Sequence, residues 1–357
     1  MPKKILFLFF TLSLLLAACE PAASPTDEAA GPAQLTVMTH DSFSVSQEVI
    51  TAFETANNIK VTFVKGGDAG ATLNRLLLES LSGGTPGADV FFGLDNTFLS
   101  RALEQDLLEP YNAPQLTKIP AEFKLDPENR ALPVDYGDVC INYDKAWFEQ
   151  NSVPLPTSLA ELTEPQYADL LVVENPSTSS PGLAFMLATI AEFGEDGWLD
   201  WWQAMKNNGA IITSDWETAY YINFSGSSGR GAQPMVVSYA SSPAAEFIYA
   251  ETELSESPTA SLTGAGMCWR QVEFAGILKG ARNRAAAEKF IDFLLSQPFQ
   301  EDVPMQMFVF PVLPEAAIPE AFQKTVESPL QPASLAPELI ASRRDAWINA
   351  WTSLMLK

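Results

Sequence analysis

Histidine is almost missing from this chain: of 357 residues only His40 carries an imidazole, and cysteine occurs three times, at Cys19, Cys140 and Cys268. A zinc or copper centre assembled on histidines is therefore excluded by count, and a Ser-His-Asp triad would have to be built on His40. No metal, no cofactor and no catalytic residue is expected in a chain so poor in catalytic equipment. Basic residues are scarce too, 21 Lys and Arg against 44 Asp and Glu, for a formal charge of -23. Phosphate backbones require a basic footprint, so nucleic acid is not an expected partner. A strongly acidic surface instead favours solubility and draws in cations.

No apolar run reaches the ~20 residues that cross a bilayer core. The longest candidate, Ile5 to Leu16, follows Lys3-Lys4 and ends in Leu16-Ala17-Ala18-Cys19. A basic start, a short apolar segment and small residues at its end form a secretory signal. The small-small-Cys ending resembles the lipobox of bacterial lipoproteins, in which the cysteine is acylated. Residues 1–19 are thus expected to be a signal peptide, Cys19 the lipidation site, and the protein an extracytoplasmic, membrane-anchored lipoprotein; an ordinary cleaved signal with a chance cysteine is the alternative. Residues 20–34, rich in Pro, Ala, Ser and acidic side chains with little to bury, are expected to be a flexible linker. Setting Cys19 aside leaves Cys140 and Cys268, an even pair that in an exported chain suggests a disulfide. Two buried free thiols in neighbouring strands are the alternative.

The remaining length suits two domains at ~150 residues each. Strands and helices alternate at first: a strand at 35–39, a helix at 45–57, a strand at 59–64, then a helix at 71–80 with Leu73, Leu76, Leu77 and Leu81 on one face. Another strand covers 88–92, and Asn96 is expected to cap the next helix. This alternation implies a parallel sheet flanked by helices, with ligands at the carboxyl ends of strands. From Leu132 to Tyr143 the chain is extended for twelve residues, long enough to pass between lobes. A second set follows: a strand at 170–173, a helix opened by Pro181 and running to about Phe193, strands at 211–213 and 235–238, and a helix from about Pro243. Gln271 to Leu278 is positioned to return, ahead of a helix at 285–295. One crossing out and one back make an α/β molecule with a cleft. Its expected parts are lobe 1 at 35–134 plus 270–315, lobe 2 at 135–269, and a C-terminal helical segment at 316–357. Cys140 and Cys268 fall at the two crossings, where a bridge would pin the hinge strands together.

Three constellations could bind a ligand. Asn175-Pro176-Ser177-Thr178-Ser179-Ser180-Pro181-Gly182 joins a strand to a helix start, where hydroxyls and free N–H groups could cradle a phosphate; simple N-capping by Ser179 or Ser180 explains it equally well. Ser238-Tyr239-Ala240-Ser241-Ser242-Pro243 repeats that chemistry in the same lobe. Asp135, Tyr136, Trp216, Tyr220 and Tyr239, with Asp41 and Asp95 across the cleft, put aromatic faces beside carboxylates, an arrangement suited to a flat cation. Trp198, Trp201, Trp202, Trp347 and Trp351 fall at helical spacings and are read as packing. Tyr220-Tyr221 resembles the tyrosine pair that holds ferric iron in some exported proteins, but adjacent helical residues point ~100° apart.

These segments, in order, resemble the thiamine-binding periplasmic proteins of bacterial ABC importers. The resemblance runs from Leu35 to about Trp351 and rests on eight collinear pieces: Thr39-x-Asp41-Ser42-Phe43, Leu73-Asn74-Arg75-Leu76, Gly93-Leu94-Asp95-Asn96, Asp135-Tyr136-Gly137, Thr178-Ser179-Ser180-Pro181-Gly182-Leu183, Trp216-x-x-Ala219-Tyr220, Ser238-Tyr239-x-x-Ser242-Pro243 and Phe310-Pro311-Val312. It implies the two-lobed type II periplasmic-binding fold, closing on thiamine or its phosphates and delivering them as a monomer to ABC permease subunits. By this resemblance Thr178, Ser179, Ser180, Trp216 and Tyr239 line the thiazolium and phosphate end. His40, Asp41, Asp95, Asp135 and Phe308 lie near the aminopyrimidine. The chain departs from better-known members at His40 and Ala245, where they carry tyrosine, and at Phe308, where they carry tryptophan. The alternatives are a ferric-iron or polyamine carrier of the same fold, and a thiamine-degrading enzyme that would need Cys140 or Cys268 as nucleophile.

Overall fold

The buried and exposed alternation of the first strand begins at Ala33, two residues ahead of expectation, with Leu35, Val37 and Met38 inward. The computed structural model describes residues 31–83, 86–228, 231–329 and 331–357. The expected signal with Cys19, and all of the linker before residue 31, lie outside the described residues. Ala33–Lys357 forms one compact unit.

In chain order its elements are β1 (Ala33–Thr39), α1 (Gln47–Asn57), β2 (Ile59–Lys65), α2 (Ala69–Leu81), β3 (Val90–Asp95), α3 (Leu99–Glu104), β4 (Leu108–Glu109), β5 (Leu132–Asp144) and α4 (Lys145–Asn151). There follow β6 (Leu171–Glu174), α5 (Ser180–Asn207), β7 (Ile211–Thr213), α6 (Ser225–Ser228), β8 (Met235–Tyr239), α7 (Ser242–Ile248), β9 (Thr259–Leu262) and β10 (Trp269–Leu278). The chain closes with α8 (Arg284–Leu294), α9 (Gln297–Gln306), β11 (Phe310–Pro311), α10 (Glu320–Thr325) and α11 (Pro337–Met355).

The sheet runs β2-β1-β3-β10-β5-β8-β6-β7 without interruption. β1 pairs in parallel with β2 and β3, and β6 in parallel with β7 and β8, as the strand–helix alternation requires. The two long strands between these groups, β10 and β5, are antiparallel to each other and to their outer neighbours. They run through the expected lobe boundaries. Cys140 in β5 and Cys268, just ahead of β10, form a disulfide with Cα atoms 4.4 Å apart, buried against Ala240. The expected pairing therefore holds, and it ties the crossing strands at the end where β5 joins β8 of the second group.

Two local expectations fail. Asn96 caps no helix: α3 starts after Phe98 without a side-chain cap, and the Asn96 amide instead donates to the Arg270 carbonyl at 3.1 Å while accepting from the Val272 N–H at 3.1 Å. Its side chain is spent stitching the end of β3 to β10. Leu81 is 75 % exposed although Leu73, Leu76 and Leu77 are buried, because α2 ends at that residue and no further turn covers it. The helix opened by Pro181 does break at the expected place, at Gly194 (φ 71°, ψ 170°), then resumes to Asn207. The tryptophans read as packing do pack: Trp202 lies edge-on between Trp201 (5.0 Å) and Trp351 (5.4 Å), with its indole N–H on the Thr189 hydroxyl at 3.0 Å. Among the described residues no helix is long and apolar enough to cross a membrane.

Candidate functional site

A cavity of about 600 Å³ opens where the ends of β1 and β8 and the crossing strands β5 and β10 meet the first turns of α2, α5 and α7 and the segment Met305–Val309. Of the residues singled out in the sequence, His40, Asp41, Asp135, Ser180, Trp216, Tyr220, Tyr239, Ser242 and Phe308 line it. Ala245, at a position of departure, lines it too.

One end is acidic. His40 follows β1 directly, and its Nε2 lies 3.2 Å from Oε1 of Glu273. Gly93 (φ 108°) makes room for this contact: a Cβ there would meet the imidazole at 2.6 Å, and the positive φ itself favours glycine. Glu273 on β10 stands opposite Asp135 on β5. The register slips immediately after this pair, between Glu273 and Phe274, where β5 places Pro133, a residue with no N–H for the ladder. The bulge sits next to the two carboxylates on the cavity wall. Asp135 is 2 % exposed, and its Oδ2 has no hydrogen-bond partner among the described residues. Burial, then the charge of Glu273, pushes the Asp135 carboxyl well above the ordinary range. Burial raises Glu273 to about 8, with Asp95 and Asp68 adding to the rise. Burial lowers His40 despite three neighbouring carboxylates, which keeps its ring neutral at pH 7.

Asp68, at the start of α2, accepts the Trp216 backbone N–H at 3.1 Å and the Ala69 N–H at 3.3 Å, and burial raises its carboxyl as well. The Lys65 ammonium, the one lysine on the wall, donates to the Asp41 carbonyl.

The other end is aromatic. Thr218–Asn223 winds as a π-helical turn that stacks Tyr220 on the Trp216 indole, centroids 4.9 Å apart and planes 18° from parallel. The Trp216 indole N–H donates to Ser238 at 2.9 Å, Ser238 and Ser242 hydroxyls lie 2.9 Å apart, and the Tyr220 hydroxyl donates to Glu246 at 3.0 Å. Burial raises Glu246 to about 7. Between the ends, the Tyr239 hydroxyl donates to Gln271 at 3.0 Å, and the Gln271 amide donates to Ser180 at 2.9 Å. The two hydroxyl-rich loops thus meet through one glutamine. Phe308 sits at φ 55°, a strained backbone for a large side chain, edge-on to Tyr249 at 5.6 Å.

Four singled-out residues lie off the cavity lining. Tyr136 is sandwiched between Phe123 (4.7 Å) and Phe310 (5.4 Å), with the Arg270 guanidinium 4.9 Å from its ring. Asp95 is fully buried and accepts from the Thr97 N–H at 2.7 Å and hydroxyl at 2.5 Å; burial lifts it to about 6. The Thr178 hydroxyl is committed to the Ser214 carbonyl at 2.6 Å, and its own carbonyl accepts the Ala71 N–H at 3.0 Å. Ser179 holds the cap position of α5 but makes no capping bond, and its hydroxyl is buried beside Asp68. Gly70 lets α2 approach this loop: a Cβ there would lie 2.9 Å from the Thr178 carbonyl.

Sequence reasoning passed over Asp68, Glu273, Gln271 and Glu246. Asp68 had a signal: it follows Gly66-Gly67 at the carboxyl end of a parallel strand. Glu273 is a lone acid inside the otherwise apolar stretch Val272 to Leu278.

The description bacterial extracellular solute-binding protein fits residues 85–329 of this chain. The chain is 31% identical over 346 residues to the thiamine-binding periplasmic protein of Salmonella typhimurium, covering 95% of this chain and 97% of that protein. Its identity to the thiamine-binding periplasmic protein of Escherichia coli is 30% over 322 residues, 89% of this chain and 92% of that one. A solved periplasmic thiamin binding protein superposes with a TM-score of 0.76 at 28% identity, covering 91% of this chain and 96% of the other. The fold is accordingly the two-lobed type II fold of periplasmic binding proteins, as the resemblance implied. With its continuous sheet, its crossing strands and its cavity at the strand ends, the chain belongs to the bacterial extracellular solute-binding proteins.

Proposed function

We propose that the protein captures thiamine or a thiamine phosphate outside the cytoplasm and delivers it to the permease of an ABC importer. It acts as a monomer, held at the membrane by a lipid on Cys19. The observation that carries this reading is the pairing, in one cavity, of carboxylates at one end with a stacked Trp216–Tyr220 face at the other. A flat cation gains charge pairing from the first and stacking from the second. The relatives' names point to the same ligand. In this reading His40, Asp41, Asp135 and Phe308 face the aminopyrimidine, with Asp95 behind them. Trp216, Tyr220, Tyr239, Ser180 and Ser242 hold the thiazolium and its side arm. Thr178, Ser179 and Tyr136 shape the wall from behind. No bond is made or broken: the two cysteines that a thiamine-degrading enzyme would need are joined to each other.

A second reading draws on one feature. Glu246 and Glu217 lie on the cavity wall with the aromatic residues, while Asp68, Asp135 and Glu273 crowd the acidic end. Carboxylates at both ends also suit a polyamine. Native mass spectrometry of the protein as purified, followed by calorimetric titration with thiamine, thiamine phosphates and spermidine, decides between them. Thiamine or an ester is expected to bind tightly and quench Trp216 fluorescence. Tight spermidine binding without thiamine binding would overturn the reading.

A further inference from the structure

We propose that Glu273 selects for a positively charged ligand by giving up, on binding, a proton that it shares with Asp135. This rests on the proposed function and adds a mechanism of discrimination to it.

The geometry begins with strand pairing. Glu273 and Asp135 are direct partners on antiparallel strands, and side chains so placed stand roughly 5 Å apart at Cβ on one face. Both reach the cavity wall. Asp135 is sealed from bulk solvent by the fold and keeps one oxygen without a donor. Two carboxylates this close, and this dry, cannot both ionise, so a single proton serves the pair.

The positive charge on the wall, Lys65, acts on His40 and is not among the groups that shift Glu273. His40, from the end of β1, approaches Glu273 at 3.2 Å but is held neutral by burial. Asp41 follows it on the same loop, and Lys65 from β2 is turned to the Asp41 carbonyl. Asp68 from α2 and Asp95 from β3 both push Glu273 upward. On β8, Tyr239 is a neutral phenol bonded to Gln271. At pH 7 the ligand-free pair therefore keeps its proton.

A fixed positive charge in the same cavity, carried by a thiazolium at the aromatic end, acts on the pair across a poorly screened space and favours the doubly ionised state. The acid O–H bond breaks, the proton passes to solvent, and two carboxylates face the cation. A neutral ligand of the same shape leaves the proton in place and gains no charge pairing. Discrimination by charge thus needs no direct contact between the cation and this pair.

The test is calorimetry on the full chain near pH 7, titrating thiamine in phosphate and in Tris, buffers whose protonation heats differ widely. Wild type is expected to release close to one proton per ligand. Glu273→Gln should bind about tenfold or more weakly and release almost none. Independently of any variant, a thiamine analogue with an uncharged thiophene in place of the thiazolium should bind wild type more weakly and release no proton. Equal heats in the two buffers, or unchanged release in Glu273→Gln, would overturn the exchange while leaving thiamine binding intact. Failure of thiamine to bind at all would overturn both the exchange and the reading beneath it.

Discussion

The two ends of the cavity are built by opposite means. The acidic end hangs on the sheet: Asp135 and Glu273 are fixed by ladder register across β5 and β10, and His40 by the end of β1. The aromatic end hangs on a short π-helical turn and a helix of seven residues, with Trp216, Tyr220, Ser238 and Glu246 held by side-chain hydrogen bonds and stacking. Strand register leaves little freedom, whereas one turn packed by its own side chains opens at low free energy. Under the proposed function, the rigid end sets which charge is accepted and the softer end closes over the rings.

The largest effect should come from the support that both ends share. Replacing Cys140 and Cys268 together by serine removes a bridge across 128 residues, and is expected to lower stability by about 2–5 kcal/mol. Chemical denaturation would measure it, and an unchanged midpoint would show that β5 and β10 are held by the ladder alone. Next come two aromatic rings, one on the cavity wall and one behind it. Phe308→Ala should weaken thiamine binding by about 1–3 kcal/mol if its face stacks on the ligand. Tyr136→Leu, which disturbs the Phe123–Tyr136–Phe310 stack and the Arg270 contact outside the cavity, should lower the melting temperature and leave affinity within about twofold. Equal affinity losses in the two variants would erase the distinction between wall and packing.

The smallest effect separates the ends by pH. Glu273 is raised to about 8 in the fold, against roughly 4.3 in an unfolded chain. Between those values the folded protein keeps a proton that the unfolded chain has released. Its contribution is therefore fully present at low pH and is lost as pH rises towards 8, by at most about 1.4 kcal/mol per pH unit. Asp135 shares that proton and adds none of its own, while Glu246 acts in the same direction. His40, lowered by burial, acts oppositely, but only below roughly 6.5. Melting temperatures of the ligand-free protein should fall from pH 6.5 to 8, and Glu273→Gln should flatten the slope. A rise in wild type over that range would contradict the burial of this carboxyl.

Much of the fold was legible in the order of residues, because periodicity and turn chemistry are local. The Leu132–Tyr143 run, the break after Phe193 and the buried face of α2 all follow from spacing alone. Local reading failed where a side chain found a distant partner. Asn96, a fitting helix cap by type, bonds Arg270 and Val272 instead. Thr178, apparently free in a hydroxyl-rich loop, is taken by Ser214. Tyr136 and Tyr239 are both tyrosines at sheet positions, yet one is enclosed by Phe123 and Phe310 and the other faces the cavity.

The sequence by itself determined the class of molecule: an acidic α/β chain with one histidine, two long crossing strands and a cysteine at each crossing. Composition and periodicity are sums over neighbours, so they survive without a folded structure. Only the tertiary structure decided which carboxylates share a wall. Glu273 meets Asp135 because β10 and β5 pair in one register, 138 positions apart in the chain, and no spacing rule reaches that far. The charge chemistry of the cavity depends on this pairing, since burial and a like charge at close range, not the identity of either residue, set where its proton resides.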